Sequence, residues 1–246
     1  MYRGAIDPLP PTPHWNRDAA VAVLIPALDE EGSVGAVVRA LPAALVREVV
    51  VVDNGSRDGT AAAARAAGAA VVTETRRGYG AACLRGLDAL RRDPPPIVAF
   101  IDADLSDDPA ELARVLAPIL DGRADLVIGS RVLGEHERGA LSPVQELGNA
   151  LATRLIAACF GVRFTDLGPL RAIRWPALES LRMSDRDYGW TVEMQVKAAK
   201  RGLRCLEVPV RYRRRVGRSK ISGTLRGAVG AGTKILWTIA REAVSK

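Results

Sequence analysis

A chain of 246 residues can bury a substantial core, and its size suits one α/β body with an appended region better than two independent domains. Hydrophobic residues make up 48% of it, yet no run approaches the roughly 18 to 20 uninterrupted apolar residues of a membrane span. The net charge of +7 and pI near 9.8 admit nucleic acid, an anionic membrane surface or a phosphorylated small molecule as partner; aromatics are only 4% and are not interleaved with the basic residues, which argues against nucleic acid.

Residues 1–19 are proline-rich and lack an apolar core of signal-peptide length, so a flexible leader and a cytoplasmic chain are expected. Cys83, Cys159 and Cys205 are odd in number and far apart, which fits core thiols in a reducing compartment. From residue 20 the runs AVAVLIP, EVVVVD, AAVVTE, PIVAFID and ADLVIG alternate with helical patterns. That rhythm predicts an α/β fold with a mainly parallel sheet flanked by helices on both faces. Val34, Val37, Val38 and Leu41 repeat at helical spacing, as do Leu112, Val115, Leu116 and Ile119 after Pro109, with Asp107 and Asp108 expected to cap that second helix.

Beyond Gly129 the rhythm changes. A long helix over Pro143–Phe160, a turn-rich TDLGPL, a helix near residues 191–200 and the run RCLEVPVRY suggest an acceptor half over about 131–222, after a nucleotide half over about 20–130. Residues 223–246 read as an amphipathic basic helix, with Leu225, Val229, Leu236 and Ile239 on one face and Arg226, Lys234 and Arg241 on the other. Such a helix suits peripheral attachment to the inner face of a membrane, or docking on the body or on a second copy in a homodimer.

The chemistry concentrates in FIDADLSDDP, where a buried run ends in Asp102 and Asp104 at the carboxyl edge of the sheet. Alternate residues of a strand share a face, so the two carboxylates converge on one ion. A hard divalent cation, Mg²⁺ or Mn²⁺, would bridge them to a diphosphate. The first strand ends in IPALDEEGSV and the second in VVDNGSRDGT, which places Asp53 at a strand end and Gly55 and Gly59 in a tight turn.

Together these segments resemble the family 2 glycosyltransferases of the GT-A fold, a Rossmann-like architecture, and especially the branch containing dolichol-phosphate mannose synthase, over roughly residues 20–222. The resemblance implies an inverting, metal-dependent hexosyltransferase that uses a UDP- or GDP-sugar. It implies that Pro26, Ala27, Leu28 and Glu30 wall the nucleoside pocket, that Asp53 faces the base or ribose, and that Gly78 and Gly80 let backbone approach the donor. Asn54 stands where the family commonly has a second Asp. Asp102 and Asp104 match the metal motif, Ala103 joins the donor site, and Ser106 falls where relatives often carry Gln as a further ligand.

On the acceptor side the resemblance makes Arg131 a phosphate clamp and turns Asp166 toward the reacting sugar, with Arg171 an internal ion-pair partner. Trp190 and Glu193 share a helical face, Glu193 being a candidate general base if the acceptor is a hydroxyl. No base is needed for a lipid phosphate, and a small-molecule acceptor is the alternative. Arg215, Arg218 and Lys220 would close over the departing diphosphate. Two rival classes are disfavoured: a sugar-nucleotide nucleotidyltransferase by its need for a basic glycine-rich first loop, and a noncatalytic nucleotide-binding module by the intact Asp102 and Asp104.

Overall fold

The computed structural model describes residues 15–16, 18–217 and 225–244, the side chains of 225–229 and 231 excepted. Most of the expected leader, Arg218 and Lys220 lie outside the described residues. Among the described residues, seven strands form one sheet: β1 (Val21–Ala27), β2 (Val46–Asp53), β3 (Ala70–Thr73), β4 (Ile97–Phe100), β5 (Leu126–Ser130), β6 (Arg171–Arg174) and β7 (Cys205–Pro209). Their order is β3-β2-β1-β4-β6-β5-β7, with β6 antiparallel to both neighbours and all other pairs parallel. The five expected runs are the five strands that precede the change of rhythm. The antiparallel β6 was not expected, because four residues, RAIR, carry too short an alternation to read.

Among the described residues, eight α-helices flank the sheet: α1 (Val34–Ala40), α2 (Thr60–Ala66), α3 (Tyr79–Leu90), α4 (Leu112–Leu120), α5 (Pro143–Phe160), α6 (Trp175–Leu181), α7 (Trp190–Lys200) and α8 (Leu225–Val244). Strand β1 is buried on both faces: Val21, Val23, Ile25 and Ala27 pack with α1 and α4 residues, while Ala22 and Leu24 join α3, α5, α6, α7 and α8 in a second cluster. Period-2 alternation thus divides one apolar run between two cores. Helix α5 begins in a full capping box between Ser142 and Gln145 and ends at Gly161 in the left-handed conformation, which fixes both its limits.

Helix α8 packs against α5 and α7. Its inward face comprises Ile235, Thr238, Ile239 and Glu242, at helical spacing, whereas Leu236 is 38% exposed. The expected apolar face is therefore rotated, because the charges of Lys234 and Arg241 are met by buried acids of the body rather than by solvent. The side chains of Leu225, Arg226 and Val229 lie outside the described residues. No helix among the described residues is long and apolar enough to cross a membrane.

Candidate active site

The parallel strands β1, β2 and β4 end at one edge of the sheet, where they open a cavity of about 590 Å³. Strand β4 stops at Phe100, so Asp102 and Asp104 lie in the loop beyond it rather than on the strand itself. Both still line the cavity. The turn is held by Leu105 in the left-handed region, φ 61°, a conformation that costs a branched side chain energy and is kept where surroundings enforce it. Ser106 enforces it: its amide and its hydroxyl both donate to Asp104 Oδ1, at 2.9 and 2.6 Å. Ser106 is 1% exposed and lines no described cavity, so it orients Asp104 rather than standing as a further ligand.

Asp102 Oδ1 is buried with no hydrogen-bond partner among the described residues, and burial together with repulsion from Asp104 pushes its carboxyl up to about 7. A pair of crowded carboxylates with an orphaned oxygen is an arrangement that a divalent cation would relieve. Asp108 caps the next turn by accepting from the Ala110 amide at 3.2 Å. Asp107 does not cap, contrary to expectation. Both of its oxygens are buried without partners, and burial followed by repulsion from Asp102 holds its carboxyl well above the usual range.

A ladder of arginines runs along this acidic loop. Arg211 reaches Glu111 at 2.7 Å, Arg213 reaches Asp108 at 2.7 Å, and the Arg213 and Val216 amides donate to the Ser106 and Asp104 carbonyls. Arg215 then enters the cavity, 2.9 Å from Glu30 and 3.3 Å from Asp104. Its guanidinium thus stands against the acidic pair.

The opposite wall comes from loops that carry backbone into the site. Pro26, Ala27, Leu28, Glu30, Gly78 and Ala103 all line the cavity. Asp53 does not; its carboxylate accepts the Ser56 amide at 3.1 Å and closes the turn after β2. Asn54 lines the cavity instead. Its amide nitrogen donates to the Glu74 and Arg76 carbonyls at 3.1 and 2.7 Å, and its oxygen accepts from the Gly78 amide at 2.8 Å. An aspartate could not make the two donations.

Gly78 (φ +144°) and Gly80 are used by protein rather than by open space. A Cβ at either would stand 2.2 or 2.1 Å from the Arg186 or Asp185 carbonyl oxygen. The Gly80 and Ala81 amides at the start of α3 donate to the Asp187 and Arg186 carbonyls. The segment before α7 thus seats on the glycine turn and delivers Asp187 and Tyr188 to the cavity.

On the acceptor side, Arg131 follows β5 and Asp166 binds it in a bidentate pair, Nε to Oδ2 at 2.7 Å and Nη2 to Oδ1 at 2.6 Å. Burial would lower the Arg131 pKa, but this pair outweighs it and keeps the guanidinium charged. Asp166 is 1% exposed and both of its oxygens accept from Arg131, so it sets the arginine. Arg131 also lies 5.1 Å from the centre of the Tyr212 ring and borders a cavity of about 300 Å³ that joins Asp102 and Asp104 to Val144 and Gly148 of α5 and to Ile235 of α8.

Burial withdraws Glu193 and Trp190 from the cavities, and Arg171 is internal but bound to carbonyls and Gln195 rather than to an acid. Glu193 is 0% exposed and accepts from Ser184, the Asp185 amide and Lys197. Burial alone would raise its carboxyl, yet these hydrogen bonds hold it below the ordinary value. Trp190 is 1% exposed, with its ring 6.0 Å from that of Phe100, and lines no described cavity. Arg171 is fully buried and donates to the Leu167, Gly168 and Thr191 carbonyls and to Gln195, with no ion pair among the described residues.

The sequence model for glycosyl transferase family 2 matches residues 22–182. The chain belongs to that family. An uncharacterized glycosyltransferase of Mycobacterium tuberculosis is 41% identical over 213 residues, covering 85% of this chain and 93% of the relative. The polyprenol monophosphomannose synthase of Mycolicibacterium smegmatis is 33% identical over 222 residues, covering 82% and 81%. Among solved structures, glucosyl-3-phosphoglycerate synthase from M. tuberculosis, in complex with Mn²⁺, UDP and phosphoglyceric acid, matches with a TM-score of 0.72 at 24% identity over 95% of this chain and 84% of that one. The shared fold is the mainly parallel GT-A sheet with its flanking helices.

Sequence reasoning missed several residues that line the cavities. Tyr79, which lines both the 590 and the 300 Å³ cavity, directly follows Gly78, and Tyr188 stands two residues before Trp190. Asn54 had been noted only as a missing charge. Arg77 and Asp187 had no signal of their own.

Proposed function

We propose that this glycosyltransferase moves a hexose from a UDP- or GDP-sugar to a phosphate-bearing acceptor, with a lipid phosphate as the acceptor class. The observation that carries the acceptor reading is the fate of the two nominated carboxylates. Asp166 is bound to Arg131 and Glu193 is buried under α8, so neither is free to take a proton from a hydroxyl. A phosphate monoester, with its second pKa of about 6, arrives as an anion and needs no base. Its charge suits Arg131, and the apolar residues of α5 and α8 that wall the adjoining cavity suit a hydrocarbon chain. The mannose-transferring relative is named for a polyprenol acceptor, which agrees.

In the proposed reaction an acceptor phosphate oxygen attacks the anomeric carbon from the face opposite the nucleotide. The bond from that carbon to the β-phosphate oxygen breaks, the configuration inverts, and the nucleoside diphosphate leaves with the electron pair. Asp102 and Asp104 would hold a divalent cation, Mg²⁺ or Mn²⁺, which supplies charge neutralisation to the diphosphate. Arg215 contributes the same from the protein side by turning from Glu30 and Asp104 toward the leaving group. Arg218 and Lys220 are proposed to join it. Peripheral attachment to the inner face of a membrane follows from a lipid acceptor.

A smaller reading rests on a second feature of Arg131. Its guanidinium also borders a cavity of about 380 Å³ whose lining includes His136, Gln145 and Arg154, side chains that could meet a soluble phosphorylated acceptor. The two readings separate in one experiment. Thermal unfolding with UDP-, GDP- and dTDP-sugars, with and without Mn²⁺, should show one nucleotide giving about 2.7 kcal/mol of stabilisation at a hundred times its Kd. Transfer is then measured to a short-chain prenyl phosphate and to phosphoglycerate. Asp104→Ala should abolish both the Mn²⁺-dependent shift and transfer while unfolding cooperatively. Stabilisation by no nucleotide under any metal condition would overturn the donor site, and transfer to phosphoglycerate alone would overturn the lipid acceptor.

A further inference from the structure

The charges of α8 find their partners beneath the donor cavity. Lys234 Nζ lies 3.0 Å from Asp185 Oδ2 and 3.9 Å from Asp187 Oδ2. The Asp185 side chain is 0% exposed, and its Oδ2 has no hydrogen-bond donor among the described residues, so its negative charge is balanced by that ammonium group. Its other oxygen accepts the Asp187 and Gly189 amides at 2.8 and 3.1 Å. About two turns further along the helix, Arg241 stands 3.4 Å from Glu193, whose carboxylate accepts the Ser184 and Asp185 amides.

Residues 184–189 are therefore wound around two buried carboxylates, each with a cation from α8 beside it. The other side of this segment is a wall of the donor cavity, through Asp187 and Tyr188, and it grips the start of α3 through the Gly80 and Ala81 amides. A fully buried carboxylate that loses its cation takes up a proton or draws in water, and either change weakens the amide bonds it accepts. The helix and the cavity wall are thus coupled through contiguous hydrogen bonds and ion pairs.

We propose that the C-terminal helix is a positioning element of the donor site: Lys234, by holding Asp185, sets the place of the 184–189 wall and with it the affinity for the nucleoside diphosphate. This rests on reading the cavity as the nucleotide-sugar site. It gives α8 a role in catalysis that does not depend on a membrane.

The test uses the full chain with Lys234→Met, which keeps the length of the stem and removes the charge, and Lys234→Arg, which restores it. UDP and GDP binding in Mn²⁺ is measured by titration calorimetry, and amide hydrogen exchange is followed over residues 184–189. Lys234→Met should weaken the preferred nucleotide about tenfold and raise KM for the donor with kcat at saturation little changed, because the displaced wall contacts the nucleotide rather than the reacting atoms. Lys234→Arg should bind within about twofold of the parent, and exchange should quicken at 184–189 in the methionine variant only.

Parental affinity in Lys234→Met would overturn the proposal, as would a matching loss in Lys234→Arg. If the parent binds neither nucleotide, the donor reading has failed, and unchanged exchange in Lys234→Met would then sink the brace separately. Should Lys234→Met not fold, the pair Asp185→Asn with Lys234→Met removes both charges together; it should fold and bind more weakly than the parent, and parental affinity there would count against the brace.

Discussion

Asn54→Asp changes one atom of a side chain without changing its volume, so it isolates the direction of three hydrogen bonds. The asparagine is 5% exposed and donates to two carbonyls at 3.1 and 2.7 Å while accepting from Gly78 at 2.8 Å. A carboxylate keeps the third bond and replaces the two donations by oxygen facing oxygen. Each lost bond is worth about 1 kcal/mol, and leaving buried acceptors unmatched beside a charge brings the total to about 3 kcal/mol. For a chain of this length that corresponds to a fall in Tm of about 6 to 12 °C. Because the bonds tie the end of β2 to the glycine turn before α3, nucleotide affinity should fall with stability. Differential scanning calorimetry and titration with UDP or GDP in Mn²⁺ read the two effects. An unchanged midpoint together with unchanged affinity would show that Asn54 does not brace this wall.

Gly80→Ala should cost about 1 to 3 kcal/mol in denaturant unfolding and weaken nucleotide binding, since its Cβ would meet the Asp185 carbonyl oxygen at 2.1 Å and backbone yields poorly; full stability in that variant would show that the 184–189 segment can seat elsewhere. Glu193 has a pKa held below 4.5, so it contributes stability that is present above that value and is lost as pH falls through the folded one. Urea midpoints of the parent and Glu193→Gln should therefore differ most near about pH 7 and converge toward about pH 3, whereas parallel curves would mean the carboxylate is not tuned by its partners.

Much of the catalytic edge could be read from linear sequence because it depends on strands that follow one another in the chain. Each apolar run ends in a polar loop, parallel pairing of β1 with β2 and β4 brings those ends together, and the glycine turn after β3 follows the same logic. The acceptor side was read less well. There the same residue types, Asp166, Trp190, Glu193 and Arg171, are equally able to line a site or to brace one, and only burial separates the two uses.

Period-2 alternation and chain order alone carried the first five strands and the acidic pair at their edge, while Arg215 came from the family resemblance; the antiparallel β6 escaped both. Tertiary structure alone decided which carboxylates are spent. Asp166 is committed to Arg131, and Asp185 and Glu193 to Lys234 and Arg241 of α8. The physical reason is that partners 35 to 49 residues apart meet only through packing, and a buried charge takes its role from whichever counter-charge the fold sets beside it.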